Sequence, residues 1–317
     1  MAEKETVTQL AIIGAGPGGY AAAFLAADLG LAVTLIDPEL NPGGVCLHRG
    51  CIPAKVLLHI AQVIDEAREA QKWGVTFGTP EIDVDRIRDW KNQVVAGLTK
   101  GLGQLTAQRK ITYLRGRARF VESTLLEVTT EKGDKVRLRA ENVIIATGSV
   151  STSLPGLDFS SPLVMDSEAA LDLPDIPKRL LVIGAGYIGL EMGTVYAALG
   201  SEVTVAEMMN DILPMADKDL VREYKKHTAG YFKEFITGAR AETKIEGKKV
   251  NAVFRLAENR DQVIKEAEFD KVLLTVGRKP NTMGLGLEHT TIELDEKGFI
   301  KVNAERRTTD PAVFAIG

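Results

Sequence analysis

Cysteine is scarce in this chain: Cys46 and Cys51 are the only two in 317 residues. A disulfide closing so short a loop restricts the unfolded chain by only about 2 kcal/mol. A reducing cytosol would also tend to open it, so a structural staple is a poor account of the pair. No apolar run approaches the roughly 20 residues of a membrane span. The N-terminus, Met1-Ala2-Glu3-Lys4-Glu5, carries both signs of charge and lacks the apolar centre of a secretion signal. A net charge of -4 and a pI near 5.8 argue against nucleic acid as the main partner. No long linker or low-complexity tract appears, and no set of metal ligands stands out. What remains is a cytoplasmic enzyme, long enough for two domains with sizeable cores.

The cysteines lie in Gly43-Gly44-Val45-Cys46-Leu47-His48-Arg49-Gly50-Cys51-Ile52-Pro53-Ala54-Lys55, and a chain that keeps only these two reads as cycling them. Pro53 suits the first turn of a helix, where its missing N–H costs nothing. Residues from Ala54 to about Trp73 then read as an amphipathic helix. Its apolar side comprises Val56, Leu57, Ile60, Val63, Ile64 and Ala67. Cys51 falls at the N-terminus of that helix, where the dipole favours thiolate, and Lys55 adds a cation one turn later.

The chain also repeats itself. Leu10 to Asp37 and Leu180 to Glu207 align at a constant offset of 170, with 11 of 28 positions identical. Each copy runs from an apolar strand into G-x-G-x-x-G, as Gly14, Gly16, Gly19 and as Gly184, Gly186, Gly189. A helix follows, then a second strand ending on an acid, Asp37 or Glu207, 23 residues after the first glycine. The first glycine allows the tight turn, and the second admits a pyrophosphate to the helix N-terminus. The third lets helix and strand pack closely, and the acid binds ribose hydroxyls. One such loop is weak evidence; two complete units predict two dinucleotide sites.

Two nucleotide sites and a dithiol describe an electron relay between nicotinamide, flavin and disulfide. The dithiol directly follows the first copy, which assigns FAD there and the nicotinamide to the second. Glu207 favours NAD over NADP, because its carboxylate repels a 2′-phosphate and Met208-Met209-Asn210 offers no arginine.

Together the glycine loops, Gly43 to Lys55, Ala146-Thr147-Gly148, Gly184 to Glu191 and Val276-Gly277-Arg278-Lys279-Pro280-Asn281 resemble the pyridine nucleotide–disulfide oxidoreductases. Gly-Gly-Val-Cys-Leu-His-Arg-Gly-Cys-Ile-Pro is most similar to their lipoamide dehydrogenase branch. The resemblance runs from the first strand to Phe314-Ala315-Ile316-Gly317. It implies that Cys51 is the thiol nearer the flavin and Cys46 the interchange thiol. It further implies that Lys55 lies near the flavin ring with Glu191 as its ion-pair partner, and that Tyr187 gates the nicotinamide pocket. Thr147 and Gly148 match a turn contacting FAD, and Gly277 with Arg278 the return to the flavin domain. Gly44, Ala118 and Ile188 complete the expected cofactor-binding set.

Some positions depart from the family pattern. Asp37 replaces a more usual glutamate, His48-Arg49 a more widespread Asn-Val, and Ala54 a common serine or threonine. His48 is not expected to be a catalytic base. In the family a long interface domain follows Phe-Ala-Ile-Gly, forms the dimer and supplies a His-Glu pair to the partner's disulfide. His48, His59, His227 and His289 match no such context, so the expectation is a truncated chain, impaired in the thiol half-reaction.

The expected fold is α/β, with two Rossmann-like FAD- and NAD-binding domains, inserted β-meanders and no dimerisation domain. Residues 1–150 are read as the first flavin-binding part, 151–275 as the NAD domain and 276–317 as the return to the flavin domain. A helix is expected from Asp85 to Gln108 and a strand from Leu125 to Thr129. Hairpin turns are expected at Lys132-Gly133-Asp134 and Glu246-Gly247-Lys248, and a solvated helix face at Arg222 to Lys226. The resemblance implies electron flow from dihydrolipoyl groups through Cys46–Cys51 and FAD to NAD. Its partners would be lipoyl-bearing domains of 2-oxo acid dehydrogenase complexes, with a homodimer in the full-length family. The alternatives are a glutathione or mercuric reductase type, which would prefer NADPH, and a non-catalytic nucleotide-binding fragment. A low-molecular-weight thioredoxin reductase would need a Cys-x-x-Cys within 151–275, where there is no cysteine.

Overall fold

The structure, a computed structural model, describes residues 5–317; most of the charged N-terminal stretch, residues 1–4, lies outside the described residues. The chain runs β1 (Glu5–Ile13), α1 (Pro17–Asp28), β2 (Val33–Asp37), α2 (Gly44–Arg49), α3 (Cys51–Glu69) and α4 (Val84–Gln108). It continues through β3 (Thr112–Glu122), β4 (Leu125–Thr130), β5 (Lys135–Ile145), β6 (Ser149–Ser151), β7 (Val164–Met165) and α5 (Ser167–Leu171). Next come β8 (Arg179–Ile183), α6 (Tyr187–Ala198), β9 (Glu202–Ala206), α7 (Lys218–Thr228) and β10 (Glu234–Ile236). The last elements are β11 (Ala239–Glu246), β12 (Lys249–Leu256), β13 (Val263–Phe269), β14 (Lys271–Leu274), β15 (Arg278–Pro280) and β16 (Val313–Ala315).

Two compact units result. The first gathers residues 5–48, Val95–Val150 and Lys279–Gly317. Its parallel layer runs β3-β2-β1-β5-β16, with Ile12 opposite Leu35 and Ile144 opposite Phe314. All five residues of β2 are buried, as expected of a parallel strand covered on both faces. β3 and β5 are long enough to leave this layer and pair antiparallel with β4. Gly133 turns that meander at φ 83°, where the sequence places the turn.

The second unit gathers Arg49–Val94 and Ser151–Arg278. Its parallel sheet runs β10-β9-β8-β14-β7, beside the antiparallel meander β11-β12-β13. Gly247, at φ 61°, turns the β11–β12 hairpin. Arg222, Glu223, Lys225 and Lys226 of α7 are exposed as expected, while Tyr224 between them turns inward and is half-buried.

α3 differs in detail from its sequence pattern. The α-helix ends at Glu69, and a 3-10 turn carries the chain to Trp73. Its buried stripe is Pro53, Ala54, Leu57, Ala61 and Ile64, whereas Val63 is 51% exposed. Ala54, Leu57 and Ile64 share a core with Leu190, Met192 and Val195 of α6. Ala54, outside the expected apolar side, thus belongs to the face packed against α6.

Candidate functional site

In the first unit the predicted residues gather where β1, β2 and β5 end, the usual position of a ligand crevice in a parallel sheet. Gly14 has φ +101°, and a Cβ there would lie 2.3 Å from the Ala146 carbonyl oxygen. A Cβ on Gly19 would lie 1.8 Å from the Gly14 oxygen, so the third glycine is a packing requirement. Gly16 begins α1 without a side-chain cap, and no acid occupies the first turn. The leading N–H groups therefore suit an anion. Gly44, at φ +57°, brings α2 against this loop; its Cβ would stand 2.4 Å from the Gly16 Cα.

Asp37 does more than wait for a ribose. It is buried, its Oδ2 accepting the Ala15 N–H at 2.7 Å and its Oδ1 the Glu39 N–H at 2.9 Å. The carboxylate braces the glycine loop and turns the chain after β2. Thr147 and Gly148 follow β5; the Gly148 oxygen accepts the Asn281 N–H at 2.9 Å, and the Thr147 oxygen the Asn281 amide at 3.3 Å. Ala118 stands apart from this cluster, on β3 opposite Val128, with its methyl buried in the core.

The second unit repeats the device. Gly184 has φ +102°, and a Cβ on Gly189 would meet the Gly184 oxygen at 2.2 Å. Glu207 accepts the Ala185 N–H at 2.8 Å through Oε2 and the Met209 N–H at 2.8 Å through Oε1. These are the Ala15 and Glu39 contacts of Asp37 displaced by the same 170 positions. Gly186 opens α6 without a side-chain cap, and a Cβ there would meet nothing within 4 Å. Tyr187 is exposed and Ile188 half-buried in the first turn. Gly277, at φ +121°, follows β14, its oxygen accepting the Thr152 N–H at 3.1 Å; Arg278 beside it is half-buried. The sequence shows the acids but not their bracing role, because that depends on backbone donors brought back by the turn.

Cys46 is half-buried on α2, and Cys51 is the exposed first residue of α3. In the first unit, burial raises the Tyr20 hydroxyl pKa, with the nearby Cys46 sulfur adding to the effect. Tyr20 is a site neighbour that the sequence did not reveal, since it lies on α1, 26 positions from Cys46. His48 Nε2 sits 3.0 Å from the Asn41 carbonyl oxygen, an anchoring contact.

In the second unit Glu191 is half-buried on α6. Burial raises its carboxyl pKa, and the Lys55 cation partly offsets that rise. The structure thus brings Lys55 within electrostatic reach of Glu191, 136 positions away. A raised folded-state value contributes stability below the ordinary carboxyl range, lost as pH rises through the raised value. Glu191→Gln is therefore expected to raise Tm by about 1–3 °C near pH 8 and leave it unchanged near pH 4, which a pH series of thermal melts checks.

Comparison with known proteins converges on one family. A family profile described as pyridine nucleotide-disulphide oxidoreductase matches residues 8–317. A dihydrolipoyl dehydrogenase of Vibrio cholerae is 40% identical over 99% of this chain and 65% of its own length. One from Haemophilus influenzae is 42% identical over 99% of this chain and 65% of its own length. The chain thus spans about two thirds of the curated relatives it matches. Among solved structures, the Cu(II) complex of the HOCl-induced flavoprotein disulfide reductase RclA from Escherichia coli superposes with a TM-score of 0.83. That match has 28% identity and covers 98% of this chain and 66% of the other.

Proposed function

This chain belongs to the pyridine nucleotide-disulphide oxidoreductase family, and on that premise we propose that it carries the nucleotide-binding and dithiol parts of a dihydrolipoyl dehydrogenase. The observation that carries the reading is the doubled glycine loop, each copy braced by its own acid through equivalent backbone donors. FAD is assigned to Gly14, Gly16, Gly19, Asp37, Gly44, Ala118, Thr147 and Gly148, and NAD to Gly184, Gly186, Tyr187, Ile188, Gly189 and Glu207. Lys55, Gly277 and Arg278 complete the flavin side. The uncapped starts of α1 and α6 suit the two pyrophosphates.

When bound, FAD and NAD supply the electron and hydride transfers. The chain's own chemistry is thiol exchange. One thiolate of a dihydrolipoyl group attacks the Cys46 sulfur of the disulfide, and Cys51 leaves as thiolate. The second substrate thiolate then displaces Cys46, releasing the lipoyl disulfide and leaving two electrons on the cysteine pair. Lys55 is the proposed partner of Glu191, whose carboxyl it reaches electrostatically. Glu207, with both oxygens engaged at the loop, disfavours a 2′-phosphate, so NADH should outperform NADPH. Lipoyl-bearing domains of 2-oxo acid dehydrogenase complexes are the proposed partners, in the cytoplasm, and the homodimer is a feature of the full-length family. Among the described residues no helix is long and apolar enough to cross a membrane.

The test is an anaerobic NADH titration followed in the visible spectrum. Bound flavin that develops a long-wavelength thiolate–flavin band supports the relay. A colourless protein, or flavin reduced without that band, refutes it for this chain.

A further inference from the structure

The two glycine loops share their backbone bonds and differ at one side chain. The Gly14 N–H donates to Ile36 O and the Gly184 N–H to Ala206 O, each at 2.8 Å. The Ala15 carbonyl accepts the Gly43 N–H at 2.8 Å, and the Ala185 carbonyl accepts the Leu213 N–H at 2.9 Å. Every one of these partners keeps the offset of 170 positions. The residue that closes the other side of each loop does not match. After β5 it is Ala146, whose N–H donates to Ile13 O at 2.8 Å and whose methyl carries no donor. After β14 it is Thr275, whose N–H donates to Ile183 O at 2.9 Å and whose side chain adds a hydroxyl.

That hydroxyl is turned onto the loop. Thr275 Oγ1 lies 2.8 Å from Gly184 O and 3.1 Å from Ile183 O. A hydroxyl has one proton to donate, and the shorter contact goes to the glycine. The N–H of the same peptide, on Ala185, is held at 2.8 Å by Glu207 Oε2. The Gly184–Ala185 peptide is therefore bonded by a side chain at both its carbonyl and its N–H, at the residue whose φ is +102°. The hydroxyl also stands against the third glycine, 2.6 Å from where a Gly189 Cβ would lie. In the first unit Asp37 holds the Ala15 N–H at 2.7 Å, and Ala146 offers the Gly14 carbonyl no hydroxyl.

We propose that Thr275 is a positioning residue for nucleotide binding in the second unit: with Glu207 it pins the Gly184–Ala185 peptide from both sides and keeps the loop in its binding shape between turnovers. The inference rests on reading this loop as the NAD site. In that reading FAD stays with the first loop through the cycle, whereas NAD enters and leaves the second each time. A loop that relaxes whenever its ligand departs must be reordered at each binding event, and affinity falls with the fraction of time it is competent. One hydroxyl–carbonyl bond is of the size that shifts this fraction severalfold.

The test compares Thr275→Ala, which reproduces the side chain of Ala146, with Thr275→Ser, which keeps the hydroxyl. Amide hydrogen exchange of the full chain without added nucleotide is read by peptide mass spectrometry. Residues Ala185 to Gly189 should exchange about fivefold faster in the alanine variant and at the unaltered rate in the serine variant. NADH affinity, followed by the fluorescence of NADH, should fall about fivefold with alanine and return with serine. Tm should move by about 2 °C at most. A hydroxyl that merely stabilises the sheet would speed exchange throughout β8, β9 and β14 and leave NADH affinity unchanged. That result, equal loop exchange in all three chains, or serine behaving like alanine overturns the proposal. Failure of the NAD reading looks different: the unaltered chain binds no NADH, while the loop still loosens in the alanine variant alone. Equal NADH binding by all three chains would sink this inference and leave that reading intact.

Discussion

Gly189→Ala is expected to destabilise the second unit by about 3 kcal/mol, whereas Gly186→Ala, three residues earlier, should fold normally and lose nucleotide. At Gly189 a Cβ would lie 2.2 Å from the Gly184 oxygen, 2.6 Å from Thr275 Oγ1 and 3.1 Å from a Val182 methyl. Two of those three neighbours belong to the adjoining strand and turn, so the helix must shift. A melting temperature lower by roughly 6–10 °C would register that cost in a chain of this size. At Gly186 the backbone is extended, with φ -75° and ψ 175°, which alanine adopts without strain. The added methyl would meet no protein atom within 4 Å and would occupy only the space over the α6 N-terminus. There it should weaken NADH binding at least about tenfold, or 1.4 kcal/mol, with Tm moved by about 1 °C at most. Equal loss of stability in both variants would contradict this division between packing glycine and binding glycine.

Serine at either cysteine should lower thiol-dependent turnover about a thousandfold or more, because a hydroxyl neither forms the mixed disulfide nor leaves as an anion at neutral pH. The effects should not add. In the proposed mechanism Cys46 and Cys51, free thiols in the structure, act as one redox pair, so the double variant is expected to be no slower than either single variant. Stability should barely change, by less than about 1 kcal/mol, because Cys51 is exposed and Cys46 only half-buried. NADH-driven reduction of an artificial acceptor that bypasses the dithiol provides the internal control. It should survive in all three variants if flavin is bound. Turnover of the thiol substrate by Cys51→Ser within tenfold of the unaltered chain would remove the dithiol from the mechanism.

The parts of this protein legible in its sequence are those made by neighbouring residues. A strand, a three-glycine turn, a helix start and a second strand ending on an acid occupy 28 consecutive positions. Every constraint in that unit, from the positive φ of Gly14 and Gly184 to the room required by Gly19 and Gly189, acts between residues close in the chain or on one adjoining strand. The hairpins at Gly133 and Gly247 were readable for the same reason, as was the placement of Cys51 at a helix start. α3 is less legible: Val63, expected on its apolar side, is exposed, whereas Ala54 and Ala61 are buried and Ala54 shares a core with α6.

By itself, then, the sequence determined the two nucleotide-binding units, the dithiol and the family they define. Only the tertiary structure decided which partners complete them. It turned the carboxylates of Asp37 and Glu207 back onto their own glycine loops, brought Lys55 within reach of Glu191 and set Glu168 against Arg49, 119 residues away. It also buried Lys91 to hold the end of α5. Turns and helix caps are short-range and leave a local pattern, whereas a charge or carbonyl satisfied across the fold finds its partner only when packing has excluded water and fixed the helices that carry it.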